Sequence, residues 1–201
     1  MSRIIGCRDL HIAPLVSDTV GAPKPTYGKP VRIPSVVNVS ITDSVEQSKF
    51  FSDDTVEQAF TKTASKEVTI ELGHLSNELE SIITGKEVDE SGVLIQKSSD
   101  APTEVALMFR APKSKGGAFR YICLYKGTLS RTESEYATQE DSIESSNINL
   151  TGTFTALLCN DQMAAVADSD DAQTSAVVSK WFTQVYGAEV AGGVAAAVKE
   201  K

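Results

Sequence analysis

Two β-rich runs around a glycine-rich turn constrain the fold of this chain more than any other stretch of its sequence. Apolar side chains alternate along both runs: Val105, Leu107 and Phe109 in the first, and Phe119, Tyr121, Cys123 and Tyr125 in the second. The segment APKSKGG lies between them, and its proline and paired glycines are typical of a turn. Two such runs joined by such a turn predict an antiparallel β-hairpin.

The opposite face of this hairpin is also apolar. It carries Met108 on the first strand and Ile122 and Leu124 on the second. A sheet covered by a single core should be polar on its other face. We therefore expect both faces to be covered, one by a sheet or helix of the same chain. A second copy is the candidate for the other cover, with these three residues as an inter-subunit sheet surface.

The overall composition argues against several functional classes. A chain of 201 residues can bury a substantial core as one large domain or two small ones. Its net charge of −8 argues against a surface built to grip nucleic acid or an anionic membrane. The sequence has no apolar run of about 18 residues and no signal-peptide pattern, so we expect no membrane contact. The widely spaced Cys7, Cys123 and Cys159 indicate free thiols in a reducing cytoplasm.

Periodicity predicts a mainly β chain with flanking helices, an α+β class. Besides the hairpin, strands are expected near residues 8–16, 31–41, 66–72 and 147–158. An amphipathic helix is predicted over 75–84, begun by Ser76 or Asn77 and ended by Gly85. Its apolar stripe consists of Leu75, Leu79, Ile82 and Ile83.

A second helix is predicted over 172–186, with Asp170 or Asp171 as its cap. Its apolar stripe consists of Val178, Trp181, Phe182 and Val185. We expect a mainly β domain at 1–160, followed at 161–201 by this C-terminal helix and a flexible tail.

Residues 43–65 are predicted to form a long loop. They are polar and acidic, yet they include Phe50, Phe51 and Phe60. A structureless loop of this length inside a compact domain is usually functional or disordered. Two interpretations stay open: the aromatic side chains fold back onto the core of their own chain, or they form a contact surface.

The sequence contains no constellation that predicts catalysis, a cofactor or a metal site. Neither glycine-rich phosphate-binding pattern occurs, and the G-x-S-x-G elbow of hydrolases is absent. His11 and His74 are far apart and lack a neighbouring ligand residue. The acids near 168–171 do not fit a calcium loop, because Gln173 and Ser179 stand where glycine and glutamate are required. We therefore expect no enzymatic activity, no cofactor and no bound metal.

Five basic residues without an intervening acid span the hairpin: Arg110, Lys113, Lys115, Arg120 and Lys126. This basic run is either a solvated turn or an acceptor for the acidic loops of a neighbouring copy.

Five stretches carry a family resemblance: TYGKPVRIPSV (26–36), LGHLSNELESIITGKEVDESGVLIQKSSDAPTEVALMFR (72–110), FRYICLYKGTLS (119–130), NLTGTFTALL (149–158) and WFTQVYG (181–187). Together they cover most of the chain from Tyr27 to Gly187, and YICLYKGTLS after the glycine-rich turn is the most specific. In these stretches the sequence resembles the major tail protein, or tail tube protein, of long non-contractile-tailed bacteriophages of Gram-positive hosts.

The resemblance implies an antiparallel β-sandwich, or barrel-like pair of sheets, flanked by one helix. It implies a structural virion protein, assembled in the host cytoplasm, whose copies form rings, usually hexameric. The rings stack into the hollow tail tube that conducts DNA during ejection. Expected partners are the chain itself, a tape-measure protein and a tail terminator protein, while DNA passes through the lumen without specific binding.

Under this resemblance the loop at 43–65 is the expected inter-ring contact. Its candidate contact residues are Phe50, Phe51, Asp53, Asp54 and Phe60. The competing hypothesis is a β-sandwich module that binds a carbohydrate or a receptor.

Overall fold

The computed structural model describes residues 3–52, 55–114, 116–131 and 147–191, with the backbone alone for residues 48–52 and 55–59. Within these residues the chain forms twelve β-strands and two short helices. In chain order they are β1 (Arg8–Ser17), β2 (Thr26–Tyr27), β3 (Val31–Arg32), β4 (Val36–Ser52), β5 (Thr55–Leu72), α1 (Asn77–Thr84), β6 (Glu87–Val88), β7 (Leu94–Ile95), β8 (Glu104–Pro112), β9 (Phe119–Arg131), β10 (Ile148–Thr155), β11 (Ala164–Asp168), α2 (Ser175–Val178) and β12 (Glu189–Val190). The predicted mainly β, α+β class is therefore confirmed.

Ten of these strands form one branched sheet. Its neighbouring strands follow the order β12-β2-β1-β8-β9-β10-β5-β4, while β11 also pairs with β9 and β3 also pairs with β1. Strands β6 and β7 form a separate two-stranded sheet. Pairing is antiparallel except between β12 and β2. Among the described strands, this path does not close on itself into a barrel.

The predicted hairpin, β8-β9, lies at the centre of the sheet and has a core on each face. The first core contains Leu107 and Leu124 together with residues of β1, β5, α1 and β10. The second core contains Met108 and Cys123, and the C-terminal segment adds Trp181 to it. Both covers belong to the same chain, which explains why the hairpin is apolar on both faces.

Helix α1 begins and ends where its sequence signals predict. Ser76 is the N-cap, and its hydroxyl oxygen accepts a hydrogen bond from the Leu79 N–H at 3.4 Å. Gly85 ends the helix with a φ of 71°. A Cβ at position 85 would lie 2.2 Å from the carbonyl oxygen of Ala101, so glycine is required for space as well as for conformation. The stripe docks in the first core through Leu79 and Ile83.

Residues 43–65 do not form the predicted loop, because they continue the two strands of a long β4-β5 hairpin. Cross-strand pairs continue along the whole hairpin, from Val36↔Leu72 to Ser52↔Thr55. Three register shifts interrupt their regular spacing. The polar composition suggested a loop, but backbone hydrogen bonds and cross-strand pairs stabilise a ladder without a core. One such pair joins Asp43 and Lys66, whose carboxylate and ammonium groups are 2.5 Å apart.

The C-terminal helix is much shorter than predicted. Helix α2 holds four residues, and turns follow it. Three hydroxyl groups donate hydrogen bonds to backbone carbonyl groups three residues earlier: Ser175 to Ala172, Ser179 to Ala176 and Thr183 to Lys180. Such bonds compete with the backbone ladder of an α-helix, so the segment stays a series of turns. Trp181 and Val185 are nevertheless buried in the second core, as their stripe predicted.

The predicted cap of this helix is also wrong. Thr174 is the N-cap and makes no side-chain capping bond. Asp170 instead pairs with Lys113, with Nζ and Oδ1 2.5 Å apart. Residues 164–168, beyond the predicted domain boundary at 160, pair with β9 in the main sheet. The division at 160 stays a prediction, and residues 192–201 of the predicted flexible tail lie outside the described residues.

Strand β10 ends earlier than the sequence pattern predicts. The predicted strand reaches residue 158 with Leu158 on the buried face, but β10 ends at Thr155. Leu157 is 2% exposed and Leu158 is 57% exposed, so the odd-numbered leucine is buried here and the even-numbered one faces solvent. A turn follows at once, in which the Asp161 N–H donates to the Leu157 carbonyl and Asp161 has a φ of 59°.

Candidate assembly surfaces

The β4-β5 hairpin extends beyond the core. Among its described side chains, Ile41 and Val68 are the outermost members of the first core, and they pair across the two strands. We name residues 43–66 the outer hairpin. Its described side chains are exposed or half-buried, including Val45 and Phe60. The outer hairpin therefore projects beyond the buried side chains of the first core.

Strand β4 lies at one end of the sheet. It pairs with β5 on one side, and no described strand pairs with its other side. A long unpaired strand edge presents N–H and C=O groups that can pair with another chain. This edge and the outer hairpin are surfaces at which a second copy can bind.

One of the five residues predicted as an inter-ring contact has a described side chain. Phe60 lies in β5 opposite Ser48 and is 55% exposed. The backbones of Phe50 and Phe51 belong to β4, but their side chains lie outside the described residues. Asp53 and Asp54 also lie outside the described residues. A contact between rings through these five residues stays a prediction.

The structure separates the three residues predicted as an inter-subunit sheet surface. Met108 pairs with Cys123, whereas Leu124 pairs with Leu107 and Ile122 with Phe109. Because partners across a ladder share a face, Met108 faces the second core, and Ile122 and Leu124 face the first. Our grouping of the three on one face was wrong. From Leu107 to Pro112 the register of the ladder places odd positions of β8 opposite even positions of β9.

These three side chains also differ in accessibility. Met108 is fully buried and Leu124 is 1% exposed, while Ile122 is half-buried against the first core. All three therefore contribute to the cores of their own chain. Their role between copies stays a prediction, because it concerns a second copy.

The described members of the basic run pair with acids of the same chain. The nearest ion-pair distances join Arg110 to Asp9 (2.6 Å), Lys113 to Asp170 (2.5 Å), Arg120 to Asp168 (3.1 Å) and Lys126 to Asp18 (3.0 Å). Lys115 lies outside the described residues. Acids of a neighbouring copy would have to compete with these internal partners.

Asp18, which no sequence pattern singled out, follows β1 and joins strand β9 to the turn after β10. Its buried carboxylate accepts hydrogen bonds from the N–H groups of Leu158 (2.8 Å) and Cys159 (3.1 Å) and from Lys126 Nζ (3.0 Å). Burial alone would raise the pKa of Asp18. The hydrogen bonds from Leu158, Lys126 and Cys159 outweigh it, so the pKa lies below its ordinary value.

A cluster of arginines at the start of β1 also escaped the sequence patterns. Arg8, Asp9, Arg32 and Arg110 line a polar cavity of about 400 Å³, which we name the arginine pocket. The Asp9 carboxylate lies 3.1 Å from Arg32 Nη2 and 2.6 Å from Arg110 Nη2. The three arginines belong to β1, β3 and β8, so only the folded sheet brings them together.

The described residues were searched for a membrane-spanning helix and for a metal-binding cluster. No helix in the described ranges has the length and apolar character needed to span a membrane. Within the same ranges, no group of three or more His, Cys, Asp or Glu residues could hold a metal ion.

Comparison with protein-family models gives a match that covers most of the chain. The family model of the phage tail tube protein matches residues 38–199, from the start of the β4-β5 hairpin to the C-terminal segment. The chain belongs to the phage tail tube protein family. Tail tube proteins are structural components of the virion tail, so this chain is a bacteriophage tail protein. No curated protein matches the sequence with significant similarity.

Proposed function

We propose that copies of this tail tube protein assemble into rings that stack into the hollow tube of the phage tail. DNA passes through the lumen of that tube during ejection. The outer hairpin carries the proposal, because it is a long, well-paired element that projects beyond the core of its own chain. Such an element is stabilised in an assembly when it packs on another copy.

The unpaired edge of β4 supports the same proposal. The two ends of the main sheet, β12 and β4, are different surfaces. Pairing of the β4 end of one copy with the β12 end of the next therefore joins unlike surfaces. Head-to-tail contacts of this kind close into rings when the rotation between copies permits it. The resemblance of the sequence favours six copies in a ring.

The outer hairpin is proposed as the contact between rings. Phe60 is an exposed aromatic side chain on a polar strand, which is the mixture of apolar anchor and polar rim found at protein interfaces. Phe50, Phe51, Asp53 and Asp54 are the other residues proposed for this contact. A tape-measure protein inside the tube and a terminator protein at its end are proposed partners on the strength of the family.

The net charge suits the passage of DNA. With 27 acidic and 19 basic residues, a tube of this chain has few uncompensated cations to release counterions from a DNA backbone. We therefore propose that DNA passes without specific binding. This role requires no catalytic group. The alternative is a module that binds a carbohydrate or receptor; Trp181, the tryptophan that could form a sugar platform, is 2% exposed.

Size-exclusion chromatography and negative-stain electron microscopy of the purified protein test the proposal. Rings or tubes with a central lumen are the expected result. A protein that stays monomeric at every concentration, with and without salt, would overturn it. Binding of the monomer to a glycan array would then favour the binding module.

A further inference from the structure

We propose that the arginine pocket accepts a carboxylate side chain from a second copy of this chain. The inference rests on the proposed self-assembly and assigns one of its contact surfaces. It concerns Arg8, Arg32 and Arg110, which the sequence patterns did not group as a site.

The arginine pocket is lined by more basic than acidic side chains. Three arginines and one acid line it, and Asp9 is the acid that pairs with Arg32 and Arg110 among the described residues. In addition, Arg8 lies directly opposite Arg110 across the β1-β8 ladder. Like charges in directly opposite positions destabilise a sheet. A further carboxylate would offset this repulsion.

Asp9 already binds to the arginines of the pocket through its carboxylate. Its carboxylate lies between two guanidinium groups, and Arg110 donates to Oδ2 through Nε at 2.6 Å. The backbone of Asp9 has a φ of 54°, in the left-handed region that a non-glycine residue seldom adopts. Because an arginine carries five N–H donors, Asp9 does not use all the donors of the cluster. The Arg32 side chain is 66% exposed and is accessible to a neighbouring copy.

A second copy of the chain is the source of the carboxylate. Acids outnumber basic residues in this chain, and a tail tube is built from many copies of it, so carboxylates of another copy are the nearest abundant anions. Val36, the first residue of β4, lines the pocket, which therefore lies at the base of the long hairpin. The far end of β4 is about 50 Å away at about 3.3 Å per residue. Copies stacked along this direction bring the outer end of one hairpin towards the pocket of the next.

Charge-neutral variants of the pocket test the inference. Arg32→Gln and Arg8→Gln would be compared with Lys97→Gln, which also removes one exposed positive charge but near Glu87 on the β6-β7 sheet. The readout is the protein concentration at which assemblies form, measured by sedimentation and negative-stain microscopy. We expect each arginine variant to require about tenfold more protein, the effect of losing one charge-assisted hydrogen bond. Lys97→Gln should assemble like the wild type.

Salt and a conservative variant sharpen the test. The difference between wild type and Arg32→Gln should shrink at high salt, because ions screen exposed pairs. Arg32→Lys should assemble better than Arg32→Gln but less well than the wild type, since lysine keeps the charge and loses the planar fork. Urea unfolding of each variant verifies the fold, and Arg32→Gln remains decisive if Arg8→Gln does not fold.

The outcomes separate this inference from the proposed function. Wild-type protein that assembles while Arg32→Gln assembles at the same concentration overturns the arginine pocket alone. Wild-type protein that never assembles overturns both. Unchanged assembly combined with a loss of binding to a DNA duplex in Arg32→Gln would assign the pocket to phosphate and also overturn the inference.

Discussion

Phe154 in β10 lies against Gly127 in β9, its partner across the ladder. A Cβ at position 127 would come within 2.4 Å of the Phe154 ring, which is completely buried. Gly127→Ala should therefore destabilise the fold by about 1–3 kcal/mol, because a packed core accommodates an added methyl group only with strain. Urea unfolding measures the effect. The control is Gly73→Ala, where the new Cβ would lie at an ordinary 3.7 Å from Ser35; equal stabilities of the two variants would contradict this packing.

Helix α1 should stabilise the fold through its buried stripe. Leu79 is 7% exposed and belongs to the first core. We expect Leu79→Ala to lower the free energy of unfolding by about 2–5 kcal/mol, as for other buried leucines. Glu78→Ala on the exposed face of the same helix is the control. A loss for Leu79→Ala below about 0.5 kcal/mol, the range of surface substitutions, would show that the stripe is not packed.

His11 should make the stability depend on pH. Its ring stacks on Phe182 with centroids 4.5 Å apart, and burial lowers the pKa of His11 below its ordinary value of 6.5. The unfolded chain therefore binds a proton at this histidine more readily than the folded chain does. The free energy of unfolding should fall as pH decreases from 6.5 towards the lower folded pKa.

Urea midpoints at a series of pH values test this dependence. His11→Phe keeps the stacking and should flatten the profile in that window. The control is His74→Phe at an exposed position. A His11→Phe profile as steep as that of the wild type would assign the dependence to another group.

Much of the fold follows from the sequence because the relevant signals are local. The serine cap and left-handed glycine of α1 act within a few residues, and so does the alternation of β8 and β9. The face of Met108 was not predictable, because it depends on the register of the β8-β9 ladder.

The candidate surfaces were less predictable, because they depend on pairing at long range. The outer hairpin lacks the alternation of apolar and polar residues that predicts a strand from sequence. Its β-branched Thr61 and Thr63 indicate a strand only weakly. The arginine pocket joins residues from three strands, and Asp18 reaches Leu158 across 140 positions of the chain. Such groups have no common spacing in the sequence.

Asp18 should be one of the most sensitive polar positions in the fold. Asp18→Ala removes the acceptor of two backbone N–H groups and leaves Lys126 with Glu104 at 3.7 Å as its nearest acid. Breaking a buried pair in this way costs about 3–5 kcal/mol. Asp18→Asn should cost less, because it keeps an acceptor oxygen.

The contribution of Asp18 should also depend on pH. Its folded pKa lies below the ordinary value of 3.8, so its stabilisation is present above that value and is lost as pH falls through the folded pKa. Urea midpoints of the three proteins at neutral and acidic pH measure both effects. Equal stability of Asp18→Ala and the wild type at neutral pH would contradict the joining role of this carboxylate.

If the outer hairpin joins copies of the chain, a protein with a shortened hairpin should not form tubes. Glu46 and Lys62 are partners across the ladder, so Asn-Gly can replace residues 47–61 and keep the register. Ile41 and Val68 in the core stay unchanged, so the variant should fold, which circular dichroism and urea unfolding verify. The measurement is tube length by electron microscopy, with the full-length protein beside it. The shortened protein should form monomers or single rings and the full-length protein tubes; tubes of normal length from the shortened protein would contradict the role of the outer hairpin.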